Sequence, residues 1–145
     1  MMNNEYIPKV NASSYMKGNP EEKEFDLRKR TKDFALRIIR LYSSLPKTDE
    51  SRVLGKQLLR SGTSVGAHYR EACRARSTAE FISKIEGGLQ ELEESSYWLE
   101  LLIESNVVPA EKFSPLQQEM EELIAILVTS AKTAKKNSSF RIHNS

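Results

Sequence analysis

Arg60, Arg70, Arg74, Arg76 and Lys84 crowd one stretch of the chain, with His68 and Tyr69 among them. Between Arg52 and Arg76 there are six bases and one acid. Cations in such a run can track a phosphate backbone, and a tyrosine ring among them can stack on a base. The same charges have two other uses. They can stay solvated or pair with glutamates later in the chain, or they can draw in the acidic face of a second copy. The residues by themselves leave all three readings open.

Other chemistry has no residues to carry it. Bundle-borne metal pairs need Glu-x-x-His on facing helices, and neither His68 nor His143 sits three residues after a glutamate. A lone Cys73 can form no internal disulfide and no thiolate cluster, and reads as a small hydrophobe. There is no phosphate loop, nucleophile elbow or zinc-spaced Cys and His set. Glu100 and Glu104 lie four apart, as solvated surface pairs usually do. The expectation is a protein that is not an enzyme and takes no cofactor and no metal.

Charge is segregated along the chain. Residues 1 to 84 hold 17 of the 22 Lys and Arg and 10 of the 20 Asp and Glu, while Ile85 to Glu111 carry seven glutamates and no base. If the basic half of one copy meets the acidic half of the next, the contact is head to tail, and such contacts close into rings. Tyr97 and Trp98 flank the third helical seam, which leaves at least one of them for an interface.

Four elements must position these residues. With 145 residues, 39% hydrophobic and 29% charged, the chain suits one domain with a continuous core. No stretch approaches the roughly 20 apolar residues of a membrane span, and the start lacks the pattern of a secretory signal, so a cytoplasmic location is expected. Residues 1–24 read as a flexible arm, 25–136 as the folded unit and 137–145 as a frayed tail.

Within the folded unit Phe34, Ile38, Leu41 and Leu45 define a first helix ending before Pro46. Thr48 or Asp49 caps a second, with the stripe Leu54, Leu58, Ser61, Val65, Tyr69 and Ala72. Its centre, SGTSVGA, is poor helix former, each glycine costing about 1 kcal/mol against alanine. Small side chains there admit a close neighbour, and the helix is expected to run unbroken. Ser77 to Glu80 forms a capping box for a third helix, with the seam Ile82, Ile85, Leu89, Leu92, Ser96, Leu99 and Ile103. Gly87-Gly88 inside it reads as a close helix crossing. After Pro109 a second capping box, Ser114 to Gln117, opens a fourth helix along Leu116, Met120, Leu123, Leu127, Ser130 and Ala134. The fold class is all-α, an antiparallel up-down-up-down four-helix bundle.

The segment from Arg60 to Leu102 carries RSGTSVGA (60–67), YREA (69–72), RARS (74–77), FISK (81–84) and YWL (97–99). These pieces resemble the bacterial four-helix-bundle family first recognised in open reading frames inside 23S ribosomal RNA intervening sequences. That family also includes proteins similar to the accessory variability subunit of diversity-generating retroelements, and the likeness covers residues 25 to 135. The resemblance implies a ring-shaped homo-oligomer, typically a pentamer, with a basic surface suited to RNA or DNA and no enzymatic activity. It also brings in a reverse-transcriptase-like partner, which the retroelement subunits have. His68 stands where many relatives carry Asn, and Gly87-Gly88 where many carry bulkier or alanine-rich sequence.

Overall fold

The computed structural model describes residues 19–143, so residues 1–18 of the expected arm lie outside it. Among the described residues there are four helices and no strand: α1 Pro20–Ser44, α2 Asp49–Cys73, α3 Thr78–Glu104 and α4 Ala110–His143. None is long and apolar enough to cross a membrane. Consecutive helices pack on one another, most extensively α2 on α3, while α1 and α4 touch much less.

Three boundaries differ from the sequence reading. Helix α1 starts at Pro20 and not near Phe25, because Asn19 accepts a hydrogen bond from the Glu21 N–H at 2.8 Å, Pro20 takes the first helical position, and Glu21 and Glu22 face the positive helix end. Helix α4 starts at Ala110, before the expected cap at Ser114, so Pro115 lies within it. Phe113 accounts for the earlier start: it is buried and must be presented by helix to reach the core. The same helix continues to His143, past the boundary drawn at residue 136.

The other turns use local chemistry. Thr48 caps α2 by accepting from the Ser51 N–H. Ser77 caps α3 by accepting from the Glu80 N–H at 3.0 Å, but the Glu80 carboxylate reaches back to the Arg76 N–H and not to that of Ser77. Helix α3 ends where Asn106 takes a left-handed φ of 62°, and the N–H groups of Val107 and Val108 both donate to the Leu102 carbonyl.

Helix α2 runs unbroken through SGTSVGA. Its hydroxyls are satisfied within the helix: Thr63 donates to the Leu59 carbonyl at 2.7 Å and Ser64 to that of Arg60 at 2.6 Å. Its glycines touch α1. A Cβ on Gly62 would lie 2.8 Å from Ile38 Cγ1, and one on Gly66 would lie 3.2 Å from Thr31 Oγ1. On its other side Ser95 Oγ of α3 donates to Ser61 Oγ at 2.8 Å, a bond buried from solvent. Close packing on both sides thus offsets what the glycines lack in propensity.

The core runs through Phe34, Ile38, Leu58, Val65, Ile85, Leu92, Leu99, Leu102, Met120, Leu123, Ile126 and Leu127. The most buried line of α3 is Ile85, Gly88, Leu92, Ser95, Leu99 and Leu102. The expected seam therefore turns by one residue at three places, leaving Leu89, Ser96 and Ile103 half-buried. Small residues at 88 and 95 let α2 come closest there, and closest approach rather than side-chain size decides which line is covered.

Gly87 and Gly88 sit at a close crossing, as expected, and what they approach is His68. A Cβ on Gly87 would lie 3.1 Å from His68 Nδ1, and one on Gly88 would lie 3.4 Å from His68 Cβ. The imidazole at one position thus occupies space that missing side chains leave at the other. Gly87→Ala is expected to change stability little, its helix-propensity gain of about 1 kcal/mol being offset by the displaced ring. In a His68→Ala background the same substitution should stabilise by about that amount. A double-mutant cycle by urea denaturation measures this coupling, and additivity of the two changes would contradict it.

Candidate nucleic-acid interface

The five candidate cations divide into two groups. Arg60 faces α3, where its guanidinium meets Glu91 at 3.3 Å and Glu94 at 3.0 Å, and the charge of Glu91 holds its pKa above the ordinary arginine value. Lys84 lies 2.8 Å from Glu71, which raises the lysine pKa and lowers that of the carboxyl, chiefly through their hydrogen bond. Both are tied to carboxylates of their own chain.

Arg70, Arg74 and Arg76 differ. All three are exposed at the last turn of α2 and the turn into α3, and among the described residues no carboxylate lies within ion-pair distance of them. The Arg76 backbone is pinned by Glu80, so the turn that presents these side chains is fixed while their heads stay in water.

Tyr69 is buried at 6% exposure, so its ring belongs to the core and does not offer a face to a base. His68 is half-buried, with Nδ1 3.9 Å from Glu71. Beside it opens a shallow groove lined by His68, Ile82, Lys84, Glu86, Gly87 and Gln90. Cys73 is half-buried and burial pushes its thiol pKa up, which suits packing better than nucleophilic attack.

Sequence reasoning missed what α4 adds. The Lys135–Glu86 ion pair places the C-terminal part of α4 beside the first half of α3, near the α2–α3 turn. Lys132 and Lys136, both exposed, thereby join the same end of the molecule as Arg74 and Arg76. Lys132, Lys135 and Lys136 stood too far along the chain to be grouped with α2 from sequence. Their one signal is a run, KTAKK, in an otherwise acidic half.

Sequence reasoning also missed Arg30. Its guanidinium sits between α1 and α4, hydrogen-bonded to Glu119 and 3.2 Å from Glu122. The three side chains are only 15%, 12% and 16% exposed. Burial pushes the Glu122 carboxyl pKa up, with Arg30 opposing and Glu119 adding to the shift.

Comparison with known proteins agrees with this architecture. Residues 23–129 match the family model of the 23S rRNA-intervening sequence proteins. A solved structure from Bacteroides thetaiotaomicron VPI-5482, a protein of unknown function from the S23 ribosomal protein family, is similar to this chain at 38% identity and a TM-score of 0.71. The match covers 75% of this chain and 97% of that one. No curated protein matches.

Proposed function

The chain belongs to the family of 23S rRNA-intervening sequence proteins, and from that membership and its charge layout we propose a non-catalytic, homo-oligomeric bundle that binds RNA or DNA without sequence preference. The helices are read as antiparallel, up-down-up-down. Supporting this, contacts between neighbours pair in reverse order: Ile38 with Gly62 and Thr31 with Gly66, then Arg60 with Glu94 and Glu71 with Lys84.

The observation that carries the binding reading is the group of exposed cations without carboxylate partners, Arg70, Arg74 and Arg76, at the end of the bundle where Lys132 and Lys136 also lie. Phosphates are the partners such a surface lacks. Binding through it is electrostatic and therefore salt-dependent, with each duplex phosphate contact adding about 0.9 to the slope of log affinity against log salt. Lys84 takes part once phosphate displaces Glu71, and Arg60 belongs to the α2–α3 contact.

Fluorescence anisotropy with a labelled mixed-sequence RNA and the matching DNA duplex, across a salt series, tests this. The chain should bind at low salt and release as salt rises. Arg70→Ala/Arg74→Ala/Arg76→Ala should reduce the duplex slope by roughly 2 to 3, while Arg60→Ala leaves it unchanged. Affinity indifferent to salt would contradict the proposal. A second reading, a structural or protein-interaction module whose charges serve only subunit pairing, draws support from the engagement of Arg60 by Glu91 and Glu94. On that reading Arg74→Glu/Arg76→Glu dissociates the oligomer, and no nucleic acid is bound at any salt.

A further inference from the structure

Two exposed stripes remain that neither the core nor the basic end uses. On α1, Phe25, Lys29, Lys32, Leu36, Ile39 and Ser43 follow one another at spacings of 4, 3, 4, 3 and 4, which lines them up along one helix face. All are exposed, and three are large apolar residues: Phe25 at 71%, Leu36 at 39% and Ile39 at 42%. Arg40 lies beside Leu36 on the same side.

On α3, Glu86, Gln90, Glu93, Tyr97, Glu100 and Glu104 repeat the same spacing, again all exposed, with Tyr97 at 54% in the middle. The first stripe is basic with apolar residues along it. The second is acidic with one aromatic. Lys32 and Arg40, and equally Glu93, Glu100 and Glu104, have no ion-pair partner among the described residues.

The stripes cannot satisfy each other within one chain. Helices α1 and α3 each pack between the same two neighbours, α2 and α4, so their outer faces look away from one another. We infer that the α1 stripe of one copy docks on the α3 stripe of the next, with Leu36 and Ile39 against Tyr97 and with Lys32 and Arg40 against Glu93 and Glu100. This rests on the self-assembly part of the proposed function and names the surfaces that perform it. The occupant is a second copy because the charge signs, the 4-3 register and the apolar residues of the two stripes match each other. The contact joins different patches, so a docked pair still shows one free stripe of each kind and assembly proceeds head to tail until it closes.

The experiment is light scattering coupled to gel filtration on the full chain and three variants, with circular dichroism to verify helicity. Lys32→Glu/Arg40→Glu puts acids on both sides of the Lys32/Arg40–Glu93/Glu100 contact, and Glu93→Lys/Glu100→Lys puts bases on both sides; each should weaken association at least tenfold. The chain carrying all four reversals has the signs exchanged and should assemble again. Failure of the fourfold variant to reassemble, with helicity intact, overturns the pairing. Oligomers that ignore every reversal also overturn it, yet leave self-assembly standing. A native chain that is monomeric at micromolar concentration sinks the self-assembly reading itself.

Discussion

Gly62→Val is expected to destabilise the protein by about 3 kcal/mol, although valine forms helix more readily than glycine. Even the first carbon of a side chain at this position would lie 2.8 Å from Ile38 Cγ1 and 3.0 Å from Ile38 Cγ2. Those atoms cannot yield. Ile38 is wholly buried, and a β-branched side chain on a helix has essentially one rotamer. The clash must therefore be relieved by moving α1 off α2, and overpacking of this kind costs about 1–3 kcal/mol, occasionally more. Alanine brings one carbon and a propensity gain of about 1 kcal/mol, so Gly62→Ala should be markedly milder. The control moves the bulk across the interface. Ile38→Ala alone leaves a cavity and costs about 2–5 kcal/mol, but paired with Gly62→Val it should lose at least 1 kcal/mol less than the sum of the two. Urea denaturation of the four proteins measures this, and additivity would mean that the two residues are not the contact that limits helix approach.

That contact shows why α2 was legible and parts of its surroundings were not. The spacing of Leu58, Ser61, Val65, Tyr69 and Ala72 marks a buried face whatever lies opposite, since a 3.6-residue period is a property of the helix itself. Which neighbour uses Gly62 and which uses Ser61 is a property of two helices at once and has no trace in the local pattern. The turned seam of α3 has the same origin. Gly88 and Ser95 are more buried than Leu89 and Ser96 because α2 approaches them, whereas hydrophobicity favours Leu89 over Gly88 and does not separate the two serines. The start of α1, by contrast, was written locally as Asn19-Pro20-Glu21-Glu22, a cap, a first-position proline and two acids, outside the apolar stripe used to locate the helix.

The candidate site divides on the same line. Its arginines could be found as a run in α2, but their availability depends on carboxylates that the fold brings from α3. Arg60 and Arg70 look alike in sequence, and only one of them meets glutamates. Tyr69 reads as a stacking residue among cations, yet it stands on the stripe that turns inward. Where a residue's role depends on its own helix face the sequence is a sufficient guide, and where it depends on a partner helix it is not.

Arg30→Met carries the other large expected effect, about 3 kcal/mol at neutral pH, and it tests the least packed seam of the molecule. Helices α1 and α4 share few contacts, and this cluster crosses between them. Methionine keeps much of the stem's volume but leaves Glu119 and Glu122 largely buried and facing each other without a cation, and removing one partner of a buried ion pair costs about 3–5 kcal/mol. The loss should depend on pH. The Glu122 pKa is raised in the folded protein, chiefly by burial, so this group binds its proton more readily folded than unfolded. Such a group weakens the fold as pH rises through the range between its unfolded and folded values. Without Arg30 the Glu122 pKa rises further, so the deficit of Arg30→Met is greatest at neutral pH and shrinks as the solution is acidified. Glu122→Gln in the native background removes the burial penalty of one charge while Glu119 still holds Arg30. It should be neutral or stabilising by under about 1 kcal/mol, with any gain fading at low pH. Combining Arg30→Met with Glu119→Gln and Glu122→Gln should recover most of the loss at pH 7. If the triple variant stays as unstable as Arg30→Met alone, the arginine acts through packing of its stem rather than through charge, and the α1–α4 seam is held by shape.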